Sequence, residues 1–215
     1  MLIGGYYDAP QVIVLFWNGK EFVKESELDC PGNFWVYYPW IADVDNDGLN
    51  ELLCNTNKTY VLKWDGNEWN AIAIAEHEKY PFACVAMDSD MDGLPEIHVT
   101  FRAPMLKIYE YENGSYVEKQ SFYWQGEEDI IEAIDVGDVD EDGINEIAVG
   151  TNYIHILQWN GSAYEEEHVI KDTYGLLAVT CIGVMIMMAK MKYMLECSDE
   201  ARHLNNAKHG FAIWA

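Results

Sequence analysis

The chain has 215 residues, half of them hydrophobic, and carries a formal net charge of −24. A chain with so many apolar residues can bury a core, so this composition predicts a folded globular protein. The acidic charge disfavours nucleic acids and anionic membrane surfaces as partners, because both are bound by clustered Lys and Arg.

The first predicted element is a partial repeat unit, residues 1–29. Its opening residues, Leu2 to Gly5, align with Ile147 to Gly150 of a later unit, so the chain begins inside a unit. An aromatic-rich strand follows and ends in the dipeptide Asn18-Gly19. Asn-Gly between apolar runs predicts a two-residue hairpin turn, in which both residues have positive φ.

Three complete units follow, at residues 33–79, 80–126 and 127–171. The hairpin glycines Gly19, Gly66, Gly114 and Gly161 recur at steps of 47, 48 and 47 residues. In the second unit we expect strands near 34–42, 50–55, 59–64 and 68–75. Four short antiparallel strands every 45–50 residues are typical of β-propeller blades. The structural alternative is a tandem array of β-sandwiches, whose units are usually nearer about 100 residues long.

Each complete unit contains an acidic loop of nine residues. The loops occupy residues 43–51, 88–96 and 138–146, here called the first, second and third acidic loops. Asp stands at positions 1, 3 and 5, Gly at position 6, an apolar residue at position 7 and Glu at position 9. Hard cations such as Ca²⁺ require several oxygen ligands, and short carboxylates at alternate positions of a tight loop can converge on one ion.

The loops therefore predict three Ca²⁺ sites, with Mg²⁺ the weaker candidate because it prefers few carboxylates and several waters. The side-chain carboxylates and the position 7 carbonyl would supply the ligands. The predicted ligands are Asp43, Asp45, Asp47, Leu49 and Glu51; Asp88, Asp90, Asp92, Leu94 and Glu96; and Asp138, Asp140, Asp142, Ile144 and Glu146. An EF-hand is excluded, because its position 12 requires Glu and these loops have Cys54, Val99 and Val149 there.

The C-terminal part of the chain differs in composition from the rest. Residues 173–183 resemble the first strand of a further unit, which gives about 3.75 blades in all. Residues 184–215 form an atypical tail, in which five of the nine methionines fall between Met185 and Met194. A back-translation of Gly183 to Tyr193, read one nucleotide out of frame, encodes GDDNDGKNEI, another acidic loop.

We therefore interpret the tail as a frameshifted translation of a fourth acidic loop. The alternative is a genuine Met-rich helix or a short membrane anchor. Resequencing the gene decides between them, since an intact frame with no blade-like sequence in the shifted register would refute the frameshift.

Other chemistry-bearing patterns are not evident. The five cysteines are widely spaced and form no CxxC pair, so we expect free thiols. Common nucleophile and nucleotide-binding motifs are missing, and the histidines have no HExxH spacing. We expect no catalytic residue, and we expect no signal peptide, because the first ten residues lack a basic segment followed by an apolar one.

The acidic loops and the strand rhythm of residues 1 to about 183 resemble the FG-GAP/VCBS repeat family, found in the head of integrin α-subunits. The resemblance implies a β-propeller, usually of seven blades, with calcium between the first and second strands of a blade. It also implies an extracellular or cell-surface location and a role in cell adhesion or ligand binding.

On this basis we expect a calcium-binding propeller module, a fragment of a larger surface or secreted protein. Its expected partners are a protein or glycan ligand and, at open sheet edges, the remaining blades or another copy of the chain. The rival hypothesis is the propeller domain of a polysaccharide-active enzyme, such as a lyase, that lacks its catalytic part. Activity on pectic polymers would favour the rival.

Overall fold

The structure is a computed structural model that describes residues 11–32, 36–127, 131 and 133–171, and the backbone of residues 2–5. The described residues form antiparallel β-sheets and contain no helix. The prediction of an all-β fold is therefore confirmed for this part of the chain. No helix in the described ranges has the length and apolar character needed to cross a membrane.

Four sheets are built from strands that follow one another in the chain. The first sheet has three strands: β1 (Leu2–Gly5), β2 (Gln11–Trp17) and β3 (Phe22–Asp29). The second has β4 (Tyr37–Ala42), β5 (Glu51–Asn55), β6 (Thr59–Trp64) and β7 (Trp69–Ala75). The third has β8 (Pro81–Met87), β9 (Glu96–Phe101), β10 (Ala103–Glu112) and β11 (Ser115–Tyr123). The fourth has β12 (Ala133–Gly137), β13 (Glu146–Gly150), β14 (Ile154–Trp159) and β15 (Tyr164–Ile170).

The sheets lie inside the four predicted units, and the strands of the second unit match their predicted positions to within three residues. The predicted strand at 173–183 and the tail at 184–215 lie outside the described residues. Within the sheets, the second strands β5, β9 and β13 are buried along their whole length, whereas the last strands are mostly exposed.

Three apolar cores hold neighbouring sheets together. One joins the first and second sheets, another the second and third, and another the third and fourth. Leu52 belongs to the first of these cores and the adjacent Leu53 to the next, because successive side chains of a strand point to opposite faces. A sheet between two neighbours is thus buried on both faces. The first strands of neighbouring complete sheets, β4, β8 and β12, pack against one another in succession.

The hairpin turns differ in part from the prediction. The two-residue turn is confirmed at Asn113-Gly114, where φ is 50° and 87° and Glu112 pairs with Ser115. It is wrong at the other three hairpins, which have four-residue loops, for example between the paired residues Trp64 and Trp69. There the Asn or Asp side chain accepts bonds from two backbone N–H groups, such as Asp65 from Asn67 and Glu68, and this local bonding stabilises a longer turn.

Candidate metal centres

The three acidic loops occupy the same place in three sheets: each joins the first strand to the second. Their backbones also have the same conformation. Position 4 has φ of 55°, 65° and 67° in the three loops, and the position 6 glycine has φ of 87°, 94° and 91°. A Cβ added to any of these glycines would meet no atom within 4 Å, so glycine is required by the left-handed backbone and not by lack of space.

The carboxylates at positions 1 and 5 organise the loop backbone. The position 1 carboxylate accepts a hydrogen bond from the position 6 N–H, at 2.9 Å in the first loop and 3.0 Å in the second and third. The position 5 carboxylate accepts one from the position 7 N–H, at 2.8–2.9 Å. These bonds explain why short Asp side chains suit these positions, since they reach backbone donors only a few residues away.

The position 9 glutamates are buried, with only 1–2% of their surface exposed. In every loop Oε2 accepts a hydrogen bond from the backbone N–H of position 2, at 3.0 Å for Glu51, 2.8 Å for Glu96 and 2.7 Å for Glu146. This bond ties the start of the second strand to the start of the loop. The other oxygen, Oε1, is left for a different partner.

The loop carboxylates converge into three groups that could hold a metal ion. Within a group, one oxygen of each residue lies within 4.8 Å of the others. The groups are Asp43, Asp45 and Glu51; Asp88, Asp90, Asp92 and Glu96; and Asp138, Asp140 and Glu146.

The remaining predicted ligands do not join these groups. Asp47 instead forms an ion pair with Lys63, and Asp142 accepts a long hydrogen bond from Gln158. Leu49, Leu94 and Ile144 lie at position 7, where their N–H groups bond the position 5 carboxylate. That their carbonyls bind an ion stays a prediction.

Buried carboxylate oxygens without a hydrogen-bond donor provide an independent test of fit. Among the described residues, Asp45 Oδ1, Asp88 Oδ1 and Glu96 Oε1 are buried and have no partner. An unpartnered buried carboxylate oxygen is costly, and a cation in the loop would satisfy it. The first and second loops, which contain these oxygens, therefore fit a cation.

The pKa values of the loop carboxylates agree with crowding and burial. Burial raises the pKa of Glu51 and of Glu96 to about 7, and it also raises the pKa of Glu146. The pKa of Asp90 is raised mainly by burial, with added repulsion from Asp92 and Asp88. A bound cation would reverse these shifts by favouring the ionised carboxylates.

The sequence reasoning missed the residues of the third strands that reach into the loops. Lys63 of β6 contacts Asp45 and Asp47, and Gln158 of β14 donates to Glu146 at 3.0 Å. Both residues directly precede the recurring aromatic residue of their strand, Trp64 or Trp159. A column-by-column alignment of the repeat units would have found this position.

A second missed feature links the second acidic loop to the fourth sheet. The Ser89 hydroxyl, at loop position 2, lies 2.6 Å from the Tyr164 hydroxyl and 2.9 Å from His98 Nε2. It also donates to Glu96 at 2.7 Å. Burial lowers the pKa of His98 to about 4, so this network contains a neutral imidazole at pH 7. The network connects the second acidic loop to β9 and to the fourth sheet.

Comparisons with known proteins give no assignment. No protein-family model matches this chain, and no curated protein matches it.

Proposed function

We propose that this chain is a calcium-stabilised β-propeller module of the FG-GAP/VCBS type, which binds a protein or glycan ligand and has no catalytic role of its own. One observation carries the proposal. Three acidic loops at the same point of three successive sheets each gather carboxylates, and buried oxygens in two of them have no protein donor.

The sheet arrangement supports the propeller part of the proposal. Each four-stranded sheet follows the chain order, and the first strands of successive sheets pack together while the last strands are exposed. Four-stranded sheets of this kind are also the units of β-propellers, which supports the proposal.

The chemistry of the loops supports Ca²⁺ over Mg²⁺. Each group brings three or four carboxylates to one point, and Ca²⁺ accepts many oxygen ligands in flexible geometry at about 2.3–2.6 Å. Mg²⁺ demands a near-ideal octahedron and usually keeps several of its waters.

Titration calorimetry and thermal melting of the full chain test the proposal. We expect Ca²⁺ to bind with measurable heat, to raise the melting temperature, and to do both more strongly than Mg²⁺, since binding to the native state alone stabilises it. No heat with Ca²⁺, together with a melting temperature unaffected by a chelator, would refute it. Cleavage of pectic polymers by the chain would favour the enzyme alternative instead.

A further inference from the structure

The three acidic loops differ at one position that lies outside them. This position, here called the facing residue, directly precedes the recurring aromatic residue of the third strand and is Lys63, Glu110 or Gln158. Gln158 pairs directly across the sheet with Glu146 of the third loop. The neighbouring pairs Leu62–Leu52 and Tyr109–Ile97 place Lys63 opposite Glu51 and Glu110 opposite Glu96 in the same way.

In the first loop the facing residue is a cation. The Lys63 ammonium contacts Asp45 Oδ2, lies 2.7 Å from Asp47 Oδ2 and lies 3.9 Å from Glu51 Oε1. These ion pairs raise the pKa of Lys63 and lower the pKa of Asp47. A positive charge of the protein itself thus lies among the carboxylates that a metal ion would use.

In the third loop the facing residue is neutral. The Gln158 amide donates to Glu146 Oε1 at 3.0 Å and to Asp142 Oδ2 at 3.4 Å. It satisfies the free oxygen of the position 9 glutamate without changing the charge of the loop. A cation there has to displace one neutral hydrogen-bond donor.

In the second loop the facing residue is a further carboxylate. Glu110 is opposite Glu96, and its charge acts on Asp90 of the loop. Lys119 of the outer strand β11 forms an ion pair with Glu110 at 2.8 Å, but it also forms one with Glu112. Glu96 Oε1 has no partner. The position 5 carboxylate, Asp92, joins the carboxylate group here, whereas Asp47 and Asp142 do not join theirs. Like charges opposite one another across a sheet are destabilising unless a cation lies between them.

We propose that the facing residue sets the order of cation affinity: the second loop binds most tightly, the third less tightly, and the first is closed to divalent ions by Lys63 acting as a built-in cation. This rests on the proposed function, because it assumes that the open loops bind Ca²⁺. The physical reason is the charge of the site, since affinity for Ca²⁺ rises with the number of charged ligands and falls when a like charge must be displaced.

Exchange of the facing residues provides the test, with bound ions counted by native mass spectrometry and affinities measured by calorimetry with Ca²⁺. We expect two ions on the wild-type chain, three on Lys63→Gln and one on Gln158→Lys. Glu110→Gln should weaken the tightest site several-fold. Lys58→Gln is the matched control, because Lys58 pairs with Glu76 and contacts no loop carboxylate.

The outcomes separate this inference from the proposed function. Three ions of equal affinity on the wild-type chain, or no additional ion on Lys63→Gln, would overturn the inference and leave calcium binding intact. No ion on any variant, including Lys63→Gln, would overturn both. An extra ion on the Lys58→Gln control would show that overall charge, and not the facing residue, decides the affinity, and would also overturn the inference.

Discussion

At the scale of single residues, position 4 of the acidic loops carries backbone strain that differs between loops. It is Asn46 in the first loop, Met91 in the second and Glu141 in the third, all with positive φ. Asn tolerates this conformation better than other side chains with a Cβ, because its short amide can bond locally. The first loop therefore has the residue that suits its backbone, and the second does not.

We predict that Met91→Asn stabilises the chain. Met91 is half exposed, so little packing is lost, and relief of the left-handed strain should add roughly 0.5–1 kcal/mol to the free energy of unfolding. Urea denaturation measures the change. Asn46→Met is the reciprocal control and should destabilise by a similar amount; equal stability of both variants and the wild type would contradict the strain.

The buried Glu96 of the second acidic loop should make the proposed calcium binding dependent on pH. The pKa of Glu96 is about 7 against a usual 4.5, so between these values the folded chain holds a proton that the unfolded chain has lost. The stability of the metal-free form therefore falls as pH rises through this window. Binding of Ca²⁺ requires the ionised form and releases the proton.

We predict that the calcium-induced rise in melting temperature is small at pH 5.5, grows towards pH 7.5 and levels off above it. Calorimetry in two buffers of different ionisation enthalpy should detect proton release near pH 6.5. Glu96→Gln removes the titrating group of the second loop, so the calcium-induced rise in melting temperature should depend less on pH. An affinity that is constant from pH 5.5 to 7.5 in the wild-type chain would contradict this.

At the scale of elements, a side chain of one sheet reaches into the acidic loop of the preceding sheet. Tyr164 begins β15 in the fourth sheet, yet its buried hydroxyl lies 2.6 Å from Ser89 and donates to Glu96 at 3.3 Å in the second acidic loop. The position 2 residue of the other loops is valine, Val44 or Val139. Serine at position 2 thus matches a polar partner that reaches over from the neighbouring sheet.

We predict that Tyr164→Phe lowers the free energy of unfolding by about 1–2 kcal/mol, because it removes the buried hydrogen bonds that the hydroxyl makes with Ser89 and Glu96. Tyr116→Phe is the matched control: Tyr116 pairs across its hairpin with Tyr111 as Tyr164 does with Trp159, its ring contacts that of Tyr111, and its hydroxyl makes no hydrogen bond within the described part of the chain. If both substitutions lower the free energy of unfolding by the same amount, the hydrogen bonds between the sheets add no stability of their own.

At the scale of the whole molecule, apolar cores between sheets stabilise the compact state, whereas the large net charge destabilises it. The cores join each sheet to the next, while the formal charge of −24 repels itself and opposes the compact state. The acidic loops concentrate this charge beside buried second strands. A cation bound in these loops would relieve the repulsion where it is densest.

We predict that the metal-free chain is stabilised by monovalent salt, because screening weakens the repulsion between carboxylates. Urea denaturation in chelator should give a higher midpoint at about 0.5 M KCl than at about 0.05 M, where the Debye length is several times longer. The urea midpoint of the Ca²⁺-bound chain should change less with salt. A midpoint that falls with salt would mean that ion pairs such as Lys63 with Asp47 outweigh the net repulsion.

The sequence by itself determined the strands, their antiparallel order and the place of the acidic loops, because these depend on local patterns: alternation of apolar residues, Gly at a left-handed position and Asp beside backbone donors. Within the loops it identified positions 1, 3 and 9, whose carboxylates do converge. Only the tertiary structure decided what surrounds them. Lys63 reaches Asp45 from a neighbouring strand, and Tyr164 reaches Ser89 from another sheet, 75 residues further along the chain. Such contacts depend on strand register and sheet packing, which no local pattern encodes.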